Sequence, residues 1–324
     1  MALHEESSTF QTVIKNINSI RGLSCSDNSQ LIYTTRDGGF SDSRVNQIWR
    51  SEFDGSDSIL IFESNDARLF IRTQLLTPLG DLLFGTYSRA DQSASGIWKI
   101  KNVLGTNFEF QEPELIIGPD SLRPFPGIEE FVSPAAFLRT GTHKGDLLLI
   151  NTPRPPGIAG GSVLRAKAPD FIEVTEFISS NPEIPGMGPF QPLDVAVNSQ
   201  GEIYVSDFTN DQILRFDDDG KFIEVLANFK NANRLTMGPD HLLFATNTVE
   251  VEIGDQIVAN GVLNIIDTNT GLLLNSLKYS RIFFEIAVCK EEIEIPIVDT
   301  DGDGISNDDD LCPDFPGRPI ADGC

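Results

Sequence analysis

Helical periodicity is nearly absent from this chain. Short apolar runs, alternating or continuous, are separated by clusters of Gly, Pro, Asn and Asp, the pattern of β-strands joined by turns. One unit recurs: an apolar strand, a polar turn, then a second apolar strand. Its second strand is anchored at residues 29–33 (SQLIY), 80–84 (GDLLF), 145–149 (GDLLL), 201–205 (GEIYV), 240–244 (DHLLF) and, more weakly, 292–295 (EIEI). The anchors begin 51, 65, 56, 39 and 52 residues apart. Third and fourth strands follow most of them, as at residues 47–50 and 59–62, 212–216 and 222–226, and 261–267 and 272–277.

Four strands in each repeat of forty to sixty residues is the signature of a propeller blade. A single blade cannot bury both faces of its sheet, and stacking in a ring does so. Six anchors predict an all-β, six-bladed β-propeller spanning residues 1–297, with seven blades as an alternative because the intervals vary. The sixth anchor leaves no room for outer strands, so residues 9–17 are expected to supply one and clasp the ring. Cys25 and Cys289 would lie at similar depths on the innermost strands of the first and last blades. They are read either as a staple across the closure or as two buried thiols.

Composition refines this picture. The net charge is −24, and residues 291–324 alone hold eleven acidic residues against one arginine. Nucleic acids and anionic membranes need basic patches, so both are excluded as expected partners. No run of eighteen apolar residues is present, so membrane insertion is not expected, and the first residues (MALHEESS) lack the basic and apolar regions of a signal peptide.

The acidic end is patterned as well as charged. Residues 298–324 form a separate segment in which Asp299, Asp301 and Asp303 occupy positions 1, 3 and 5 of a twelve-residue loop. Gly304 at position 6 permits a sharp bend, Ile305 offers its carbonyl at position 7, Asn307 stands at position 9 and Asp310 closes the loop at position 12. Ca2+ takes six to eight hard oxygen ligands at roughly 2.3–2.6 Å, and this spacing supplies them. Cys312 and Cys324 enclose a short loop and are read as a disulfide, which implies an oxidising compartment. The stretch from Asp299 to Pro313 resembles the thrombospondin type 3 repeat, D-x-D-x-D-G-x-x-D/N-x-x-D-x-C-P. The resemblance implies an extracytoplasmic, calcium-stiffened stalk on a secreted, periplasmic or cell-surface protein that continues into a longer parent chain.

Residues 192–216, with PLDVAVNSQGEIYVSD and then NDQILRF, resemble a blade of the NHL and gluconolactonase-like six-bladed propellers. Asp194 lies seven residues before its anchor. Counting back from the other anchors gives Gly22, Thr73, Ala136 or Leu138, Asn233 and Glu285. Asp194, Asn233 and Glu285 would then face the channel as hard oxygen donors for a second calcium. The resemblance implies a calcium-dependent lactone or ester hydrolase, with a channel metal polarising the carbonyl and Asp194 as metal ligand and catalytic base. The alternative is that Asp194 caps a turn and the others line a wet channel.

No H-E-x-x-H, G-x-S-x-G or phosphate-cradling glycine loop is present, and His4, His143 and His241 are isolated. Two Pro-rich segments, 151–161 and 181–192, are read either as plain loop packing across a propeller face or as a recognition rim in which Met187 and Phe190 supply apolar contact. The leading reading is a binding or display module for a protein, glycan or small-molecule ligand on a calcium-stiffened stalk. The hydrolase and a structural segment of a larger surface protein are the alternatives.

Overall fold

The computed structural model describes residues 20–26, 30–37, 45–64, 69–88, 95–105, 108–122, 132–152, 161–180, 182, 184, 188–239, 241–253, 256–279 and 286–287. By internal contacts residues 1–289 form one unit and 290–324 another, and every described residue lies in the first. The expected boundary at 297/298 and the whole calcium loop lie outside the described residues.

Among the described residues twenty strands form five sheets, each a four-stranded antiparallel meander in sequence order. The first blade holds β1 (Ile20–Cys25), β2 (Gln30–Asp37), β3 (Val45–Glu52) and β4 (Ile59–Ser64). The second holds β5 (Leu69–Leu76), β6 (Leu82–Ser88), β7 (Gly96–Ile100) and β8 (Glu114–Ile117). The third holds β9 (Val132–Phe137), β10 (Leu147–Asn151), β11 (Ser162–Ala166) and β12 (Val174–Ile178). The fourth holds β13 (Pro192–Val197), β14 (Ile203–Asp207), β15 (Gln212–Phe216) and β16 (Phe222–Asn228). The fifth holds β17 (Ala232–Met237), β18 (Leu242–Ile253), β19 (Gln256–Asp267) and β20 (Leu273–Tyr279). Consecutive first strands pack side by side, β1 on β5, β5 on β9, β9 on β13 and β13 on β17, so these strands line the central channel. The fold is a β-propeller with five blades among the described residues, not the six predicted. The sixth anchor at 292–295, Glu285, Cys289 and the expected clasp at 9–17 lie outside them.

Burial explains the continuous apolar runs of the second strands. Neighbouring residues on a strand face opposite ways, and each face of a blade meets another blade. In β10, Leu147 and Leu149 join the core against the second blade, with Leu83, Ile97 and Ile117. Leu148 and Ile150 join the core against the fourth, with Val195, Val205 and Leu214. Every residue of β10 and β14 is buried. The outermost strands are largely exposed, as in β16 and β8. Gly85 on β6 marks a close approach between the second and third blades: a Cβ there would stand 2.8 Å from the Val132 carbonyl oxygen.

The fifth blade departs from the others. Residues 248–253 of β18 pair with 256–261 of β19 beyond the point where β17 begins, from Thr248↔Gly261 to Ile253↔Gln256. This two-stranded ribbon leaves the end of the propeller at which the first strands start. β10 and β12, which the two Pro-rich segments follow in sequence, finish at the same end of the propeller, and residues 153–160, 181, 183 and 185–187 lie outside the described residues. No helix among the described residues is long and apolar enough to cross a membrane. No cysteine among them is free, and Cys25 at the end of β1 is disulfide-bonded; the predicted partners Cys289, Cys312 and Cys324 lie outside them.

Candidate functional site

A first strand pairs with its own blade along one edge only, and the other edge faces the channel with backbone groups that need partners. Side chains supply them. Ser24 Oγ donates to the Gln74 carbonyl at 3.2 Å, and Thr34 Oγ1 donates to Gln74 Oε1 at 2.6 Å, joining the first and second blades. Thr73 Oγ1 donates to the Pro134 carbonyl at 3.4 Å, joining the second and third. Thr152 Oγ1 donates to the Pro192 carbonyl at 2.5 Å, joining the third and fourth. Hydroxyls and amides thus collect where the apolar second strands end.

Asp194 belongs to the densest of these ties, between the fourth and fifth blades. Its Oδ1 accepts the Val195 N–H at 2.9 Å, and its Oδ2 accepts the Leu235 N–H of β17 at 3.0 Å. Ser206 Oγ accepts the Asp194 N–H at 2.9 Å and donates to the Asn233 carbonyl at 2.7 Å. Arg234 Nη1 donates to the Leu193 carbonyl at 3.1 Å. Burial pushes the Asp194 carboxyl above its ordinary pKa, while the Arg234 guanidinium and the two backbone N–H groups pull it back.

All five first strands carry a register shift, which moves residues off the positions that counting assigns. Asp194 pairs with Ser206 and Gly22 with Thr34, at equivalent heights. In the third blade Ser133, rather than Ala136 or Leu138, stands at that height, paired with Ile150. In the fifth blade it is Leu235, paired with Ala245, while Asn233 falls inside the bulge.

Of the predicted metal trio, Asp194 ties two blades through its carboxylate, and Asn233 enters the same tie through its main-chain carbonyl. Asp194 uses both oxygens on N–H donors and stands beside a fixed cation, an environment that suits a guanidinium better than a calcium ion. No group of three or more His, Cys, Asp or Glu able to hold a metal occurs among the described residues. Glu285 lies outside them. Phe190, expected on a recognition rim, is instead fully buried between the third and fourth blades with Leu148, Ile150 and Val205. Met187 lies outside the described residues.

Asp207 ends β14 at the same end of the propeller and is fully buried. Its Oδ1 accepts the Gln191 N–H at 3.2 Å and its Oδ2 the Asn210 side-chain amide at 2.6 Å, which fixes the approach of the second Pro-rich segment to β13. Burial raises its pKa against the pull of these donors. The folded chain therefore keeps a proton in a window where the unfolded chain has lost it. Stability is lost as pH rises from the ordinary aspartate range through the raised value. An Asn at this position carries no such loss. The stability of the wild type relative to Asp207→Asn is expected to fall between about pH 4 and pH 7. Urea midpoints of both proteins at the two pH values check this, and a difference that stays constant or grows with pH would show that burial is not the governing influence.

The NHL repeat family matches residues 191–216, which span β13 to β15. No curated protein matches the sequence. Among solved structures, a putative gluconolactonase is similar at 14% identity over 83% of this chain and 80% of that one, with a TM-score of 0.51. A gluconolactonase from Xanthomonas campestris is similar at 14% identity over 83% and 77%, also with a TM-score of 0.51. TolB from Acinetobacter baumannii is similar at 16% identity over 78% and 54%, with a TM-score of 0.50. At these identities the likeness shows the β-propeller fold.

Proposed function

We propose that this chain is a non-catalytic β-propeller binding module, exported from the cytoplasm and carried on a calcium-binding stalk. The observation that supports it best is the commitment of Asp194. The carboxylate expected to bind metal and activate water instead holds two backbone N–H groups across a blade junction, with Arg234 beside it. A base in a hydrolase must reach a water or substrate proton, whereas both oxygens of this carboxylate already hold backbone N–H groups at a blade junction. The ribbon of the fifth blade leaves one end of the propeller, and the strands that the Pro-rich segments follow finish there, so that end is the recognition surface for a protein, glycan or small molecule. The calcium ligands are Asp299, Asp301, Asp303, Ile305, Asn307 and Asp310, and the disulfides pair Cys312 with Cys324 and Cys25 with Cys289.

The hydrolase reading, suggested by the gluconolactonase-like fold, makes the opposite prediction. With calcium present, the intact chain is expected to hydrolyse δ-lactones and aryl esters no faster than buffer. Turnover that disappears in a folded Asp194→Asn variant would overturn the binding-module reading and restore the channel metal.

A further inference from the structure

Every exposed large apolar side chain among the described residues lies on an outermost strand or in a turn at the end of the propeller where the first strands finish, opposite the ribbon. These side chains are densest where the fourth and fifth blades meet. Ile223 and Val225 stand on β16. Leu272, Leu273 and Leu274 are 62%, 49% and 56% exposed at the start of β20. A Cβ on Gly271 would stand 2.6 Å from the Leu226 carbonyl oxygen, so the turn into β20 packs against β16. An outermost strand leaves one row of backbone N–H and C=O groups without a partner in its own blade, and charges on such strands deter other chains from pairing with them. β4, β8, β12 and β16 each carry a glutamate, namely Glu63, Glu114, Glu176 and Glu224. β20, outermost in the fifth blade, carries no carboxylate, and residues 273–277 hold no charge at all.

What pairs with an open sheet edge is another extended strand, held through its main chain. The surroundings set the charge it should carry. The turn before β16 holds Asp217, Asp218 and Asp219 against Lys221, and Asp267 ends β19 just before the turn into β20. An apolar strip bordered by carboxylates attracts a segment whose own apolar residues are bordered by lysine or arginine. The same charge argues against a second copy of this chain, because two chains of net charge −24 repel one another. We propose that the outer edge of β20 takes up an extended strand of another protein, apolar at alternate positions and flanked by lysine or arginine, which adds to the fifth blade beyond β20. This surface is separate from the end where the ribbon leaves, and it depends on neither Asp194 nor the ribbon.

The test is calorimetry on the intact chain, using a synthetic peptide of Val-Thr repeats flanked by paired lysines. One peptide is expected to bind per chain, saturably. The same peptide methylated on every backbone nitrogen of its repeats, or flanked by glutamates instead, is expected to bind at least tenfold more weakly. Leu274→Lys is expected to weaken the lysine-flanked peptide tenfold or more with an unchanged urea midpoint, because the side chain is exposed and the new charge blunts the edge. Leu79→Lys, in the exposed turn after β5, adds the same charge elsewhere and is expected to leave binding within twofold. Absence of saturable binding, equal binding of the methylated peptide, or equal losses in the two variants overturns the proposal. A dimer in sedimentation that Leu274→Lys disperses would make the occupant a second copy and overturn it likewise. None of these results alters the lactone and ester assay, so failure here and failure of the binding-module reading are told apart.

Discussion

Replacing Asp194 with alanine is expected to lower the stability of the propeller by about 2–5 kcal/mol, because two backbone N–H donors at the blade junction lose their acceptor. The substitution orphans the Val195 and Leu235 N–H groups and removes the negative charge that Arg234 acts on. Each orphaned donor costs about 1–3 kcal/mol. Ser206→Ala removes the hydroxyl that joins the Asp194 N–H to the Asn233 carbonyl and is expected to cost less, about 1–2 kcal/mol, because both its partners are neutral backbone groups. Combining Asp194→Leu with Arg234→Met should recover part of the loss, since apolar side chains of similar volume avoid stranding either charge. Urea unfolding followed by far-ultraviolet circular dichroism measures all three. A loss below about 1 kcal/mol for Asp194→Ala would mean that the carboxylate does not hold the fourth and fifth blades together.

Why the carboxylate could be found in the sequence, and its role could not, follows from the bulges. Strand identity is legible in the inner strands because burial on both faces forces continuous apolar runs: the third strand expected at 212–216 is β15, Gln212–Phe216, buried but for Arg215. Position within a first strand was not legible, because a bulge inserts residues that counting from an anchor cannot see. Counting gave Asn233 as the counterpart of Asp194, and the register gives Leu235, whose N–H is the one Asp194 holds. That contact spans 41 residues and two blades, and no local pattern encodes it. A signal was present for the ties in general: apolar second strands end in Thr34-Thr35, Thr86, Asn151, Ser206-Asp207 and Thr246-Asn247. Phe190 was misplaced for a related reason. Its Pro-rich surroundings read as a surface loop, yet the chain must pass between two blades to reach β13, and an aromatic ring fills the gap there. The ribbon went unread because Glu250 and Glu252 interrupt the apolar pattern expected of a blade strand.

Calcium binding by the whole chain is expected to vanish with Asp301→Asn combined with Asp303→Asn, and to survive Asp194→Asn. The loop from Asp299 to Asp310 places six carboxylates in twelve residues. Without a cation these charges repel one another; around calcium the carboxylates at positions 1, 3, 5 and 12 would serve as ligands. Removing two of them takes away both coordination and the charge that draws the ion in. Calorimetry should give one ion per chain for the wild type and for Asp194→Asn, and none for the double variant. Chelation should likewise increase proteolysis between Asp299 and Asp310, because an open loop fits a protease cleft and a caged one does not. One ion retained by the double variant would move the site into the propeller and revive the channel metal. Two ions in the wild type, one of them lost with Asp194→Asn, would mean that the tie at Asp194 opens to admit a cation, and the non-catalytic reading would then lose its main support.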